Sequence, residues 1–308
     1  MSLLGYRESL AAADTDVVAA LSAVAVVRVL GADAASFLQG QVSQDLDPLA
    51  IGESVEALVL SPQGKIEALV RVVRAGEEEF LVVAEDSIGE AVLERLRRFK
   101  IRVRAELALE RAAQLSLYAR PAGVGRAAVR AAAIAAGVPG SFCFALGWPN
   151  IEAAAVLAAP DALEASRAEL ALGDPAALEY LRICAGRPVA GRELDERTIA
   201  EEAGLVARTV SFTKGCYTGQ ELVARLDARG ANVARRLRLV RAAESTAEVG
   251  DALREGASVL GELTSVAPAE DGGVVALGYF RRAVVPPREI ELTGAAGAYR
   301  AEVLELPV

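Results

Sequence analysis

Apolar positions along the chain fall into short runs of period two and stripes of period near 3.6, with glycine or proline at most of the changeovers. Residues 24–30 are rich in β-branched valine and end at Gly31, which predicts a strand. Asp33 then stands at the cap position of a short helix carrying Phe37 and Leu38 and stopping at Gly40. Residues 55–60 and 66–73 flank Ser61-Pro62-Gln63-Gly64, a proline-then-glycine turn that pairs them as a hairpin, and 80–84 adds a third strand. A helix over about 86–98 puts Ile88, Val92, Leu93 and Leu96 on one face, and a strand is expected around 101–107.

The alternation then recurs. It predicts a strand at 115–118, an alanine-rich helix ending before Gly137, strands at 142–146 and 153–157, and helices near 161–172 and 175–185. No fixed period emerges, so no repeat array is expected. Beyond Arg235 only short strand signals remain, at 237–240, 258–266, 274–279, 289–292 and 298–304, with a loop over 242–250. These predict a small C-terminal barrel or sandwich after residue 230. Strands interleaved with hairpins and helices indicate an α+β class with antiparallel sheets.

Composition narrows the chemistry. With 308 residues, 53% hydrophobic and 24% charged, the chain is long enough for sizeable cores. It has no apolar run of membrane-spanning length, and its first residues lack the basic flank and apolar core of a signal peptide, so a cytoplasmic location is expected. The three cysteines form no C-x-x-C pair and indicate neither a disulfide framework nor a self-sufficient metal site. Histidine is absent, which excludes Ser-His-Asp and Cys-His nucleophile systems and any histidine base.

A net charge of −9 argues against direct nucleic-acid or anionic-membrane binding. Two basic runs, Arg95 to Arg104 and Arg225 to Arg241, read as solvated faces, although the second follows a conspicuous motif. Lysine occurs only at 65, 100 and 214, which singles out Lys65 and Lys214.

That motif is Lys214-Gly-Cys-Tyr-Thr-Gly-Gln-Glu221. Thr218 and Glu221 have the spacing of a capping box, so Cys216 is expected just outside a helix N-terminus. Unpaired N–H groups there, and Lys214 if it folds back, favour a thiolate; a small buried apolar residue after a glycine-allowed turn is the other reading.

Lys214 to Glu221, continuing Leu222-Val-Ala-Arg225, closely resembles the signature of YgfZ-type folate-binding proteins, relatives of the glycine-cleavage T-protein, an aminomethyltransferase. Gly31-Ala-Asp-Ala-Ala-Ser-Phe-Leu-Gln-Gly-Gln41, the Gly64-Lys65 hairpin, Leu181-Arg182-Ile183 with Gly186-Arg187-Pro188, and the segments Gly261 to Ser265 and Ala276 to Phe280 are similar to further family segments. The resemblance runs from about Val24 to Pro307. It implies a three-lobed fold in which two α+β lobes and a C-terminal β-barrel surround a folate-sized hole.

By that resemblance Glu202 matches the pterin-binding glutamate, with Lys65, Arg182, Tyr217, Gln220 and Arg225 as further candidates for holding tetrahydrofolate or a one-carbon derivative. Cys216 and Lys214 are then the candidate reactive pair. Alignment of 81–84 on the T-protein strand ending V-V-N puts Ala84 at its asparagine and Ala91 at its catalytic aspartate, with Asp86 or Glu90 as substitutes after a register shift. The implied role is tetrahydrofolate-dependent support of iron–sulfur cluster assembly or repair in client enzymes, by a monomer, with tRNA modification affected only through a client. Folate-dependent one-carbon transfer is the alternative.

Overall fold

The computed structural model describes residues 4–120, 123, 125–167, 170–243, 247–255, 258–295 and 297–307. Its first seven strands form one antiparallel sheet in the order β2-β3-β4-β1-β5-β7-β6. The centre of that sheet is a pair of long strands, β1 (Val18–Leu30) and β5 (Glu106–Ala119), joined from Val18 opposite Tyr118 to Leu30 opposite Glu106. Their length corrects the sequence reading. The separate strands expected at 101–107 and 115–118 are one strand, and residues 101–105 lie outside it, with Ile101 at 75% exposure. Alanine, charged and polar residues between the two apolar segments hid its continuity.

On the side of the C-terminal half of β1 lie the hairpin β2 (Ser54–Leu60) and β3 (Ile66–Arg74), then β4 (Glu79–Glu85). Helices α2 (Ala34–Gln39) and α3 (Gly89–Phe99) cover one face, burying Phe37, Leu38, Val92, Leu93 and Leu96 with alternate residues of β3 and β4. Asp33 holds the N-cap position of α2 without capping it. Its carboxylate accepts instead from the Arg104 backbone N–H at 2.8 Å and from the Arg104 guanidinium. The helix expected from residue 86 begins with a 3-10 turn, Asp86–Ile88, before α3.

On the other side, β7 (Glu152–Ala158) and β6 (Phe142–Ala145) extend β5 under α4 (Arg126–Ala136) and α5 (Pro160–Arg167), with a second apolar core. Thus two α+β lobes with separate cores share the two long strands. Helices α1 (Tyr6–Thr15), absent from the sequence reading, and α6 (Pro175–Cys184) pack on the opposite sheet face. Asp174 caps α6, accepting from the backbone N–H groups of Ala176 and Ala177, and Pro175 occupies the first helical position.

The C-terminal strands close into a six-stranded barrel. They are β8 (Arg235–Ala242), β9 (Ala252–Glu255), β10 (Ser258–Pro268), β11 (Val274–Arg281), β12 (Arg288–Gly294) and β13 (Gly297–Leu304). The short β9 joins β10 to β12 and was not expected; part of the loop foreseen over 242–250 lies outside the described residues. Ile183 of α6 packs on Leu237, Leu239, Val275 and Leu277, seating the barrel against the lobes.

One carboxylate ties that junction together. Glu193 is 1% exposed and accepts hydrogen bonds from Thr264 and Ser265 of β10, from the Val189 backbone N–H and from Arg182 of α6. A buried charge of this kind is tolerated because every lone pair has a donor.

Candidate functional site

Alternation along β3 decides which of its residues lie on the face away from the cores. Ile66, Ala68, Val70 and Val72 point into cores, while Glu67, Leu69 and Arg71 occupy the opposite face. Two cavities meet on this face, the first of about 760 Å³ and the second of about 480 Å³, and both are lined by Leu69 and Glu85. The first reaches Lys65, Glu67, Ala91, Arg95 and Asp195, a volume suited to a drug-sized ligand. Carboxylates among apolar side chains such as Ile88 and Val92 can accept paired N–H groups from a flat heterocycle while its faces stay covered.

The rim of the first cavity is the turn between β2 and β3. Ser61 accepts from the Lys65 backbone N–H through its Oγ, and the Lys65 ammonium donates to the Arg197 carbonyl at 2.8 Å. Beyond the single-turn α7 (Val206–Thr209), the start of α8 (Gln220–Ala228) packs directly on this turn. Gly219 has φ of +84°, and a Cβ there would meet the Ser61 carbonyl oxygen at 2.5 Å, so only glycine fits. Gly64, with φ of +77°, is equally close to Leu222.

The cysteine loop is fastened on its other side to the segment after α2. The Thr218 backbone N–H donates to Gly40, and the Lys214 ammonium donates to the carbonyls of Val42 and Gln44 at 2.9 and 2.7 Å. These contacts explain why the Phe37 to Gln41 and Lys214 to Glu221 motifs occur together. Cys216 itself is exposed, whereas Cys143 and Cys184 are partly covered and burial raises both of their pKa values. The reading of Cys216 as a small buried residue is therefore set aside.

Two details of the motif differ from expectation. Thr218 does not cap α8: Gly219 occupies the N-cap position, no side chain caps it, and Gln220 Oε1 accepts from the Tyr217 backbone N–H at 3.0 Å. The Thr218 backbone is committed to Gly40, which moves the helix start one residue on. Lys214 spends its hydrogen bonds on the carbonyls above, with its ammonium 5.4 Å from the Tyr217 ring centre. Burial lowers its pKa to about 8, with Asp45 and Asp47 opposing the shift.

The other candidates are dispersed. Lys65 lines the first cavity and Arg182 the second. Arg182 is 6% exposed, and Glu179, Glu193, Ser265 and the Arg187 carbonyl occupy its guanidinium, so it braces the wall. Glu202 lines neither cavity and pairs with Arg235 at 3.2 Å. Tyr217 is buried beside Leu58, Leu60 and Val223, and burial pushes its hydroxyl up to about 12. Arg225 is exposed on α8. Three arginines of its run are ion-paired, Arg235 with Glu202, Arg236 with Glu201 and Arg238 with Glu305.

Ala84 is a core residue that also borders the second cavity, Ala91 lines the first cavity and Asp86 the second. Sequence reasoning missed Glu85 and Arg95. The parity of β4 marks Glu85, since Val83 and Glu85 share the face opposite Val82 and Ala84. Arg95 lies in a basic run that reads as a solvated face, yet it is 6% exposed and donates to Glu67, Gln41 and the Leu60 carbonyl. Its place one helical turn from Val92 and beside Leu96 was the available signal.

No family model matches the chain. Among curated proteins, an uncharacterized protein of Haemophilus influenzae is 29% identical over 212 residues, covering 67% of each chain. The tRNA-modifying protein YgfZ of Shigella dysenteriae is 27% identical over 275 residues, covering 82% of this chain and 81% of its own. The YgfZ of Escherichia coli gives the same identity and coverage. Among solved structures, glycine cleavage system aminomethyltransferase T from Bartonella henselae superposes with a TM-score of 0.82 at 20% identity, over 99% of this chain and 89% of its own. The chain is thus similar in sequence to YgfZ proteins and shares the fold of the glycine cleavage T-protein.

Proposed function

We propose that the protein binds tetrahydrofolate or a one-carbon derivative in the first cavity and supports iron–sulfur cluster assembly or repair in cytoplasmic client enzymes through Cys216. The observation that carries this reading is the exposed thiol loop, packed through Gly219 on the turn whose Ser61, Gln63 and Lys65 rim a cavity of about 760 Å³. Among the carboxylates lining it, Glu67 pairs with Arg95 and Asp195 accepts from Thr198, while Glu85, whose Oε1 accepts from the Ala190 backbone N–H, can offer its second oxygen to a pterin edge; Lys65 stands at the rim. Tetrahydrofolate supplies a carrier for a one-carbon unit; the chain supplies the cover of Leu69, Ile88 and Val92 and the positions of these charges.

One thiolate does not hold a cluster that needs four, so the cluster is cargo, contacted jointly with a client or carrier. The YgfZ relatives are named for tRNA modification. With a net charge of −9 here, an effect on tRNA is best reached through an iron–sulfur client.

The test is iron–sulfur enzyme activity under oxidative stress in a strain lacking the protein. Wild-type protein is expected to restore activity and Cys216→Ala to fail. Equal rescue by both removes the thiol from the account, and the absence of any deficit removes the cluster role.

A second reading, one-carbon transfer between an amine and the folate, is favoured by Glu85. This carboxylate stands where the cavities meet and offers an acid or base despite alanine at 91. Turnover of an aminomethyl or N-methyl donor that Glu85→Gln abolishes would establish it.

A further inference from the structure

Glu56 on β2 is surrounded by three guanidinium groups. Arg187 donates to both its oxygens, Arg208 stands 3.5 Å away and Arg71 3.9 Å. One negative charge thus faces three positive ones, and the side chains are only 9–23% exposed. Arg208 Nε has no hydrogen-bond partner among the described residues, and burial together with Arg187 lowers the Arg208 pKa to about 10. Burial also lowers Arg71, with Glu56 opposing the shift.

Two further acids line the second cavity, Glu85 and Asp86, and neither pairs with these three arginines. Glu85 Oε1 accepts from the Ala190 backbone N–H at 3.1 Å, and Asp86 lies 3.5 Å from Arg111. Uncompensated buried charge is costly, and an added anion relieves it. Arg71 and Arg187 line that cavity, and so do Tyr118 and Trp148, whose rings are 4.7 Å apart.

We propose that the second cavity binds a small organic carboxylate with a planar apolar body, its carboxylate on Arg71 and Arg187 and its body against Tyr118 and Trp148, as a ligand distinct from the occupant of the first cavity. The planar guanidinium matches a carboxylate in two-point contact, and the aromatic pair gives the body a surface that inorganic anions do not use. This site stands on its own residues, whether or not the first cavity takes folate.

Benzoate is the probe and benzamide its neutral counterpart, both read through Trp148, the one tryptophan of the chain. Benzoate should quench it saturably, with benzamide at least tenfold weaker. Arg71→Gln, with its fold checked by circular dichroism, should raise the benzoate Kd at least tenfold. By calorimetry the benzoate Kd should be unchanged in saturating tetrahydrofolate. The benzoate–benzamide ratio is read on wild-type protein, so it holds even if the variant misfolds. Lack of saturation, equal affinity for the two probes, or competitive displacement by tetrahydrofolate would overturn the proposal.

Discussion

Lys214 shows how far a residue type can be read before its surroundings are known. Its rarity marked it, but its hydrogen bonds go to the carbonyls of Val42 and Gln44, which makes it a strut for the cysteine loop. Its pKa of about 8 lies below the unfolded value near 10.5, so between those values the unfolded chain binds more protons. Stability therefore rises with pH across that window as the cost of the half-buried charge disappears. In urea unfolding, wild type should gain on Lys214→Met between pH 7.5 and 9.5, by about 1 kcal/mol after solvent screening. A constant difference would mean that the ammonium is not strained by burial.

Arg95 makes the converse point. Within its basic run only its place on the Val92 face of the helix sets it apart from Arg97, which is exposed and pairs with Glu94 three residues away. Only the fold brings Glu67, Gln41 and the Leu60 carbonyl to its guanidinium. Arg95→Met should cost about 2 kcal/mol in denaturant unfolding, while Arg97→Met stays within about 0.5 kcal/mol.

At the scale of elements, the hairpin turn, the buried stripe of α3 and the barrel strands other than the short β9 were legible because glycine, proline and strict periodicity mark them. The full length of β1 and β5 was not, since alanine-rich stretches satisfy neither pattern and their strand state comes from pairing with each other. The cysteine motif was legible as a turn before a helix, but its seat on the β2–β3 turn is a long-range contact. Gly219→Ala should therefore destabilise by at least about 2 kcal/mol, from the positive φ and the clash with Ser61 combined. Gly215→Ala, where an added Cβ meets nothing within 4 Å, should be nearly neutral. Comparable losses at both positions, measured by thermal melting, would deny that the contact positions the loop.

Across the whole molecule, lobes and barrel meet through α6 and the Glu193 network, and the cavities lie on the lobe side of that junction. Glu193→Leu leaves Arg182 without one of its carboxylates and should cost about 3 kcal/mol. Calorimetry should then resolve separate lobe and barrel transitions; one cooperative peak at an unchanged temperature would show the clasp to be dispensable.

The proposed folate site is the first cavity, beside the turn that seats the cysteine loop. The most direct test is calorimetric titration with tetrahydrofolate of wild type and of Ala91→Phe, which adds a ring to the cavity wall without removing a charge. One saturable site is expected in wild type, and its loss in Ala91→Phe at unchanged circular dichroism. No saturable heat in wild type, or equal affinity in the two proteins, would contradict that placement.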